Sequence, residues 1–157
     1  YENKLNHNLN YKNLKILLDL IGLIMLMRNL KVPISLGELI DKITILRIKL
    51  NKINSNEAQK NIRLELEKLE HILNETISIN TYLKNFEIKL SNINRSLWDI
   101  EDQLREKEKE KKFDKKFISL ARMVYYKNDE RAKIKRMINK SFGSELIEEK
   151  SYTQYNL

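Results

Sequence analysis

Apolar residues recur every three or four positions along most of the chain, which is the spacing of an amphipathic α-helix. Residues 36–53 form the first such run. Val32-Pro33 precedes it and favours an extended lead-in. Ser35 and Glu38 stand three apart, the spacing of a capping box. The pattern predicts a helix that begins after Ser35 and carries one apolar stripe: Leu36, Leu39, Ile43, Leu46, Leu50 and Ile53.

The same spacing predicts a second and a third helix. Residues 54–56, Asn-Ser-Asn, end the first helix and supply the next N-cap. The second helix extends over 58–77, and residues 78–81 form a weak break. The third helix carries an unbroken heptad run and is expected to reach about Lys111. Its stripe consists of Leu83, Phe86, Leu90, Ile93, Leu97, Ile100 and Leu104.

A fourth helix is predicted to begin after Asp114, a good N-cap residue, and to end over residues 141–144, which include Gly143. Its predicted buried face consists of Phe117, Leu120, Ala121, Val124, Tyr125, Ala132 and Ile138. Consecutive helices joined by short connections run antiparallel. We therefore predict an all-α fold: an elongated antiparallel bundle, or long helical hairpin, with coiled-coil-like packing.

The first part of the chain lies outside this pattern. Residues 14–27 are strongly apolar, but they are fewer than the roughly 20 needed to span a membrane, and they include Asp19. We interpret residues 1–31 as a short amphipathic helix or as sequence that is not native to the protein, and a membrane or export role stays open as an alternative. We expect 32–152 to form a single helical domain and 153–157 to be a C-terminal tail.

The amino-acid composition excludes several classes of fold and of function. The 157 residues include three Gly, one Pro, two His and no Cys. Few glycines and prolines argue against a turn-rich all-β protein. The lack of cysteine excludes thiolate catalysis and cysteine zinc sites and fits a cytoplasmic location. Because the sequence contains no phosphate-binding glycine loop, nucleophile elbow or HExxH motif, we expect no cofactor and no metal and favour a non-enzymatic function, with enzymatic activity left open.

The chain is basic, with 30 Lys and Arg against 22 Asp and Glu and a formal net charge of +8. Such an excess can indicate nucleic-acid binding. The basic residues point around the helices rather than along one stripe, however, which favours an ordinary solvated surface. Nucleic-acid binding through the basic region 105–140 stays open as an alternative.

Polar residues cluster within the predicted helices and form the candidate site. We interpret them mainly as ion pairs that fix helix register, with a partner-binding surface and a ligand site as alternatives. An anionic-ligand site would require the basic members of the cluster to converge with Glu38 and Asp102. The cluster consists of Glu38, Asp41, Lys42, Trp98, Glu101, Asp102, Arg105, Arg122, Asn128, Asp129 and Arg131.

Further predictions concern four ion pairs and two single residues. Acidic residues three or four positions before a basic one favour ion pairs along a helix. Trp98 is expected to be half-buried, with its indole N–H directed at a partner group. His71 is expected to be a solvated surface residue. The predicted ion pairs are Glu38–Lys42, Glu101–Arg105, Asp102–Arg105 and Asp129–Lys133.

Four separated runs, in this order, carry a resemblance: Val32–Lys49, Leu97–Glu108, Phe117–Asn139 and Gly143–Tyr152. Together they resemble an uncharacterised bacterial family of short all-helical proteins, a domain of unknown function, from about Leu30 to Tyr152. The resemblance implies a helical intracellular protein with no established activity and a link to surface-polysaccharide synthesis.

The favoured function is a protein–protein interaction or assembly module that self-associates or binds one protein partner. Two alternatives stay open. One is a helical bundle that binds or transforms an anionic metabolite. The other is the nucleic-acid binding described above.

Overall fold

The computed structural model describes residues 13–20, 31–78 and 80–151, and the regular structure in these ranges is all α-helical. This confirms the predicted fold class. The helices are α1 (within 13–20), α2 (Leu36–Lys52), α3 (Asn56–Thr76), α4 (Thr81–Lys109) and α5 (Lys115–Ser141).

Four helices begin at a side-chain cap that accepts a backbone N–H three residues on. Ser35 and Ser55 cap α2 and α3, at 3.3 and 3.4 Å. Asn80 and Asp114 cap α4 and α5, both at 2.9 Å. The sequence predicted these starts closely. The Glu38 carboxylate, predicted to complete the capping box, instead binds Lys135.

The ends of α4 and α5 also lie close to their predicted positions. α4 ends at Lys109, two residues before the expected limit. α5 ends at Ser141, followed by Gly143 in the left-handed conformation (φ 64°). The Ser144 N–H donates to the Asn139 carbonyl at 2.8 Å, as in a Schellman motif. Glycine adopts this conformation without the steric cost that other residues incur.

α2 is the central helix, because it packs against α3, α4 and α5, while α4 and α5 also pack against each other. This position explains why α2 is buried on more than the one predicted stripe: Ile40, Asp41 and Thr44 are buried as well. The shared core consists of Leu39, Ile40, Ile43, Leu46, Ile62, Leu66, Leu73, Leu83, Phe86, Leu90 and Ile138.

The predicted buried face of α5 is wrong in part. Leu120 and Ile138 are buried, but Ala121 and Tyr125 are exposed. The hydrogen bonds and ion pairs between α5 and α2 lie between Arg131 and Asn139. The first half of α5 lacks these contacts, so more of its surface faces solvent.

By its contacts the chain divides into two compact units, Tyr1–Pro33 and Ile34–Leu157. In the first unit, the apolar side chains of α1 are each more than half exposed: Leu14, Ile16, Leu17, Leu18 and Leu20. Within the described ranges, none of the helices has the length and apolar character needed to cross a membrane.

Candidate functional site

A buried carboxylate, Asp41, joins three helices. It lies on α2 and is only 2% exposed. From α5, Arg131 donates Nε to both carboxylate oxygens at 2.9 and 3.0 Å and Nη2 to Oδ2 at 2.5 Å. From α4, Asn94 donates Nδ2 to Oδ1 at 2.8 Å. Charge-assisted bonds of this kind are the strongest in proteins, so Asp41 ties α4 and α5 to α2.

Neighbouring groups complete this arrangement, which we call the Asp41 network: Asp41, Thr44, Asn94, Asn128 and Arg131. Asn94 Nδ2 also reaches Thr44 Oγ1 at 2.9 Å, and that hydroxyl donates to the Asp41 carbonyl at 2.8 Å. Arg131 Nη1 donates to Asn128 Oδ1 at 3.3 Å. The polar groups are therefore satisfied by one another, as buried polar groups must be.

The electrostatics of Arg131 agree with this geometry. Its hydrogen bonds to Asp41 raise the pKa of the guanidinium above its ordinary value and outweigh the opposing effect of burial. The charges of Glu38 and Glu148 act in the same direction. Arg131 and Asp41 therefore form an ion pair that several hydrogen bonds hold in place.

A second ion-pair group lies one helical turn further along α5. Lys135 is buried and binds Glu38 of α2 and, at 2.8 Å, Glu148 of the C-terminal segment. Burial alone would lower the pKa of Lys135, but its bonds to Glu148 and Glu38 outweigh burial and raise it. Lys150 also reaches Glu148, at 3.3 Å. These charges attach the segment after α5 to the α2–α5 contact.

α2 and α5 lie close together at Gly37. The Gly37 N–H donates to Asn139 Oδ1 at 2.7 Å, and both residues are buried. A Cβ at Gly37 would lie 2.7 Å from the Lys135 carbonyl oxygen and 2.8 Å from Asn139 Oδ1. These distances are shorter than van der Waals contact, so only glycine fits here without a shift of the helices.

Arg47 links α2 to both α3 and α4. It donates Nε and Nη2 to Glu70 Oε1 at 3.0 and 2.6 Å and Nη1 to Glu87. Burial alone would raise the pKa of Glu87, but the hydrogen bonds from Arg47 and Lys84 outweigh burial and lower it. Arg47 is therefore a second polar tie, on the side of α2 that faces α3 and α4.

The structure brings together four of the predicted site residues: Glu38, Asp41, Asn128 and Arg131 lie in or beside the Asp41 network. The predicted Glu38–Lys42 pair is wrong, because Glu38 binds Lys135 and Lys42 binds Glu65 at 2.6 Å. Both partners come from neighbouring helices, and spacing along one helix cannot reveal such contacts.

The other candidates lie elsewhere. Glu101 and Asp102 both pair with the exposed Arg105 side chain on α4, at 2.9 and 3.4 Å, which confirms those two ion pairs. Arg122 donates to the Tyr126 hydroxyl at 2.8 Å on α5. Asp129 is half-buried on the same helix. Four cations of the candidate site each bond a different group, and the anionic-ligand site stays a prediction: Lys42, Arg105, Arg122 and Arg131.

Two single-residue predictions have different outcomes. His71 is exposed beside Glu75, at 3.3 Å, as expected. Trp98 is half-buried as predicted, but the expectation for its N–H is wrong: Nε1 is buried and finds no acceptor among the described residues. An unsatisfied buried donor costs free energy, on the order of 1–3 kcal/mol.

The sequence reasoning missed several residues of this interior, although two had a visible signal. Asn94 lies four residues after Leu90 and three before Leu97, so it is a polar residue on an apolar stripe. Gly37 is a glycine in the first turn of a helix, where it needs a packing reason. For Lys135 and Arg47, the sequence offers no comparable signal.

A different surface lies on the side of α5 that faces solvent. Lys115, Ile118, Ser119, Arg122, Met123 and Tyr126 line a shallow concavity of about 380 Å³. Their spacing of three, four and seven residues places them on one helical face, which we call the outer face of α5. Ile118 is 56% exposed and Met123 37% exposed, so apolar surface is open to a partner.

The outer face of α5 also has a distinct charge. Residues 115–128 contain four cations and no acidic residue. The hydroxyls of Tyr125 and Tyr126 hold the Arg122 guanidinium and raise its pKa. The guanidinium also lies 5.7 Å from the centre of the Tyr126 ring, a cation–π distance. Hydrogen bonds to phenols leave the positive charge of Arg122 uncompensated.

Fold and site define an all-helical protein whose central helix is tied to its neighbours by buried ion pairs. Among the described residues, the structure contains no cluster of three or more side chains suited to a metal ion. The chain belongs to a family of unknown function (DUF6165), which it matches over residues 30–156. This confirms the predicted membership of an uncharacterised family. Neither a curated protein nor a solved structure matches the chain.

Proposed function

We propose that this protein is a non-enzymatic interaction or assembly module and that the outer face of α5 is its binding surface. The observation that carries the proposal is the exposure of Ile118 and Met123 in one concavity with Lys115 and Arg122. Exposed apolar side chains grouped on one face and bordered by polar ones are typical of protein-binding sites.

The interior supports a stabilising role rather than catalysis. Both Asp41 oxygens already accept hydrogen bonds from Arg131, and one of them also accepts from Asn94. A general base must reach a proton of the substrate, and a carboxylate so fully bonded lacks that access. The Asp41 network therefore fits a device that fixes how α2, α4 and α5 pack.

The proposal includes an elongated antiparallel bundle with a long, coiled-coil-like hairpin of α4 and α5. Tyr82 at the start of α4 bonds Ser141 at the end of α5, at 3.2 Å. Lys107 near the end of α4 bonds Asp114 before α5, at 2.6 Å. Both contacts support opposite helix directions. We assign the module to residues 32–152.

The proposed compartment and pathway of the protein rest on its resemblance to the family and not on the geometry of the site. The four matching runs support a bacterial, cytoplasmic protein linked to surface-polysaccharide synthesis. Partner identification would test this setting, because a partner with another role would contradict the link.

The test is affinity capture of a partner from native lysate of the source cells after nuclease treatment. The full chain would be compared with Ile118→Asp and with a matched control, Ile88→Asp, which changes a similarly exposed isoleucine (50% against 56%) on α4. We expect one stoichiometric protein to remain on the wild type and on the control but not on Ile118→Asp. Equal retention by all three, or no retained protein, would contradict the proposal.

Nucleic-acid binding is the second candidate, because residues 115–128 combine cations with Tyr125 and Tyr126 and lack acids. Nuclease treatment would remove a nucleic-acid partner from the capture. Its affinity would fall steeply with salt, by about one power of salt concentration per phosphate neutralised. Retention after nuclease treatment separates the two candidates.

A further inference from the structure

We infer that the outer face of α5 binds an acidic amphipathic helix of a protein partner. The inference rests on the proposed function and adds the chemistry of the partner. It follows from three features of the face: its uncompensated charge, the apolar residues at its centre and its length.

The first feature is charge. Within the described part of the chain, the side chains of Lys115 and Lys116 form no ion pair, and Arg122 is held by phenol hydroxyls rather than by a carboxylate. Some cations of the described ranges do bind carboxylates, as Arg131 and Lys135 do. Complementary charge guides association and selects partners. Carboxylates are therefore the groups that a partner would bring to this face.

The second feature is the apolar centre. Ile118 and Met123 lie within the concavity, together with the ring of Tyr126. Methionine adapts to the shape of an apolar partner. Phosphate groups would gain little from this aliphatic surface, which favours a protein over a nucleic acid.

The third feature is length. From Lys115 to Tyr126 the face extends over about three helical turns, or roughly 17 Å at 1.5 Å per residue. A partner helix of similar length would place apolar side chains at i, i+4 and i+7 against Ile118 and Met123. Its acidic residues would then flank that stripe, opposite Lys115 and Arg122.

A second copy of this chain fits the face less well. Symmetric pairing of two outer faces would bring Lys115 and Arg122 of both copies together, and like charges repel. If α4 of a second copy faced the outer face instead, its acids Glu101 and Asp102 would already be paired with Arg105. A separate acidic partner brings carboxylates without such pairing and without repulsion between like charges.

The test is a selection from a library of helical peptides on the immobilised full chain. Each peptide would carry leucine at i, i+4, i+7 and i+11, with glutamate or lysine randomised at the flanking positions. We expect glutamate to be enriched. The binding of a selected peptide should weaken about tenfold with Arg122→Glu and should weaken with added salt. Arg95→Glu, a charge reversal at an exposed site on α4, is the matched control and should leave binding unchanged.

Equal recovery of glutamate and lysine, or equal peptide binding by wild type and Arg122→Glu, would overturn the inference. Binding to a single-stranded RNA oligomer or to phosphatidylserine vesicles without glutamate enrichment would also overturn it. If glutamate is not enriched but lysate capture still yields an Ile118-dependent protein, the proposed function stands and only the partner chemistry fails. If that capture fails too, both are refuted.

Discussion

Replacing Asp41 by alanine tests the Asp41 network most severely. The change leaves the Arg131 guanidinium without its carboxylate and leaves the Asn94 amide with only the Thr44 hydroxyl as acceptor. Removing one member of a buried ion pair costs about 3–5 kcal/mol. Because the Arg131 side chain is 26% exposed, water can partly replace the lost partner. We therefore expect the free energy of unfolding to fall by about 3 kcal/mol, the lower end of this range.

The assay is urea unfolding followed by far-UV circular dichroism, together with thermal unfolding. For a chain of this size, a loss of about 3 kcal/mol corresponds to a melting temperature lowered by roughly 6–12 °C. In a double-mutant cycle, Arg131→Ala should cost less in the Asp41→Ala background than in the wild type, since the two residues share one interaction.

Asp102→Ala serves as the control, because Asp102 also pairs with an arginine but is exposed on α4. Its cost should stay within about 0.5 kcal/mol. The reasoning would be refuted if Asp41→Ala changed the free energy of unfolding by less than about 1 kcal/mol. Additive effects of the Asp41 and Arg131 substitutions would also refute it.

Three further predictions concern stability. Gly37→Ala should lower the free energy of unfolding by about 1–3 kcal/mol, because the new Cβ would press on the Lys135 backbone. This loss is expected although alanine favours helix formation more than glycine does. Urea unfolding measures it, with Lys42→Ala at an exposed position of α2 as the control. Trp98→Phe should cost less than about 1 kcal/mol, since it removes an unsatisfied N–H; a larger loss in thermal unfolding would contradict this. Because the pKa of folded Glu87 lies below its ordinary value of 4.5, the stabilisation from this group is present above pH 4.5 and lost as pH falls through the folded pKa. Acid unfolding monitored by circular dichroism should therefore show a smaller loss for Glu87→Gln than for the wild type.

The local signals of this sequence predicted the helices well. N-caps such as Ser35 and Asp114, and the stripe of α4, depend on residues a few positions apart. The Glu101–Arg105 pair was predictable for the same reason. Interactions of this range are encoded within one helix, so its spacing is enough to identify them.

The polar ties between helices were less predictable. The sequence marks Asp41 and Arg131 as polar residues within helices, but their pairing joins positions 90 residues apart. Lys135 would be expected on the surface, and it is buried only because Glu38 and Glu148 reach it from two other segments. Such contacts depend on how helices cross, which periodicity along one helix does not specify.

Around the outer face of α5, periodicity along one helix predicts more burial than the structure shows. Apolar spacing alone predicts that Tyr125, next to this face, is buried, yet it is exposed. The first half of α5 lacks the α2 contacts that cover residues 131–139. An apolar residue on a helix is buried only where a neighbouring element covers it, and at this face we propose that a partner provides the cover.

The most direct test of the central claim is the amount of partner captured by Ile118→Asp under conditions where this variant melts at the wild-type temperature. The account predicts that the partner is lost, because the binding surface is separate from the Asp41 network that stabilises the fold. A folded Ile118→Asp protein that captured the same partner in the same amount would contradict it.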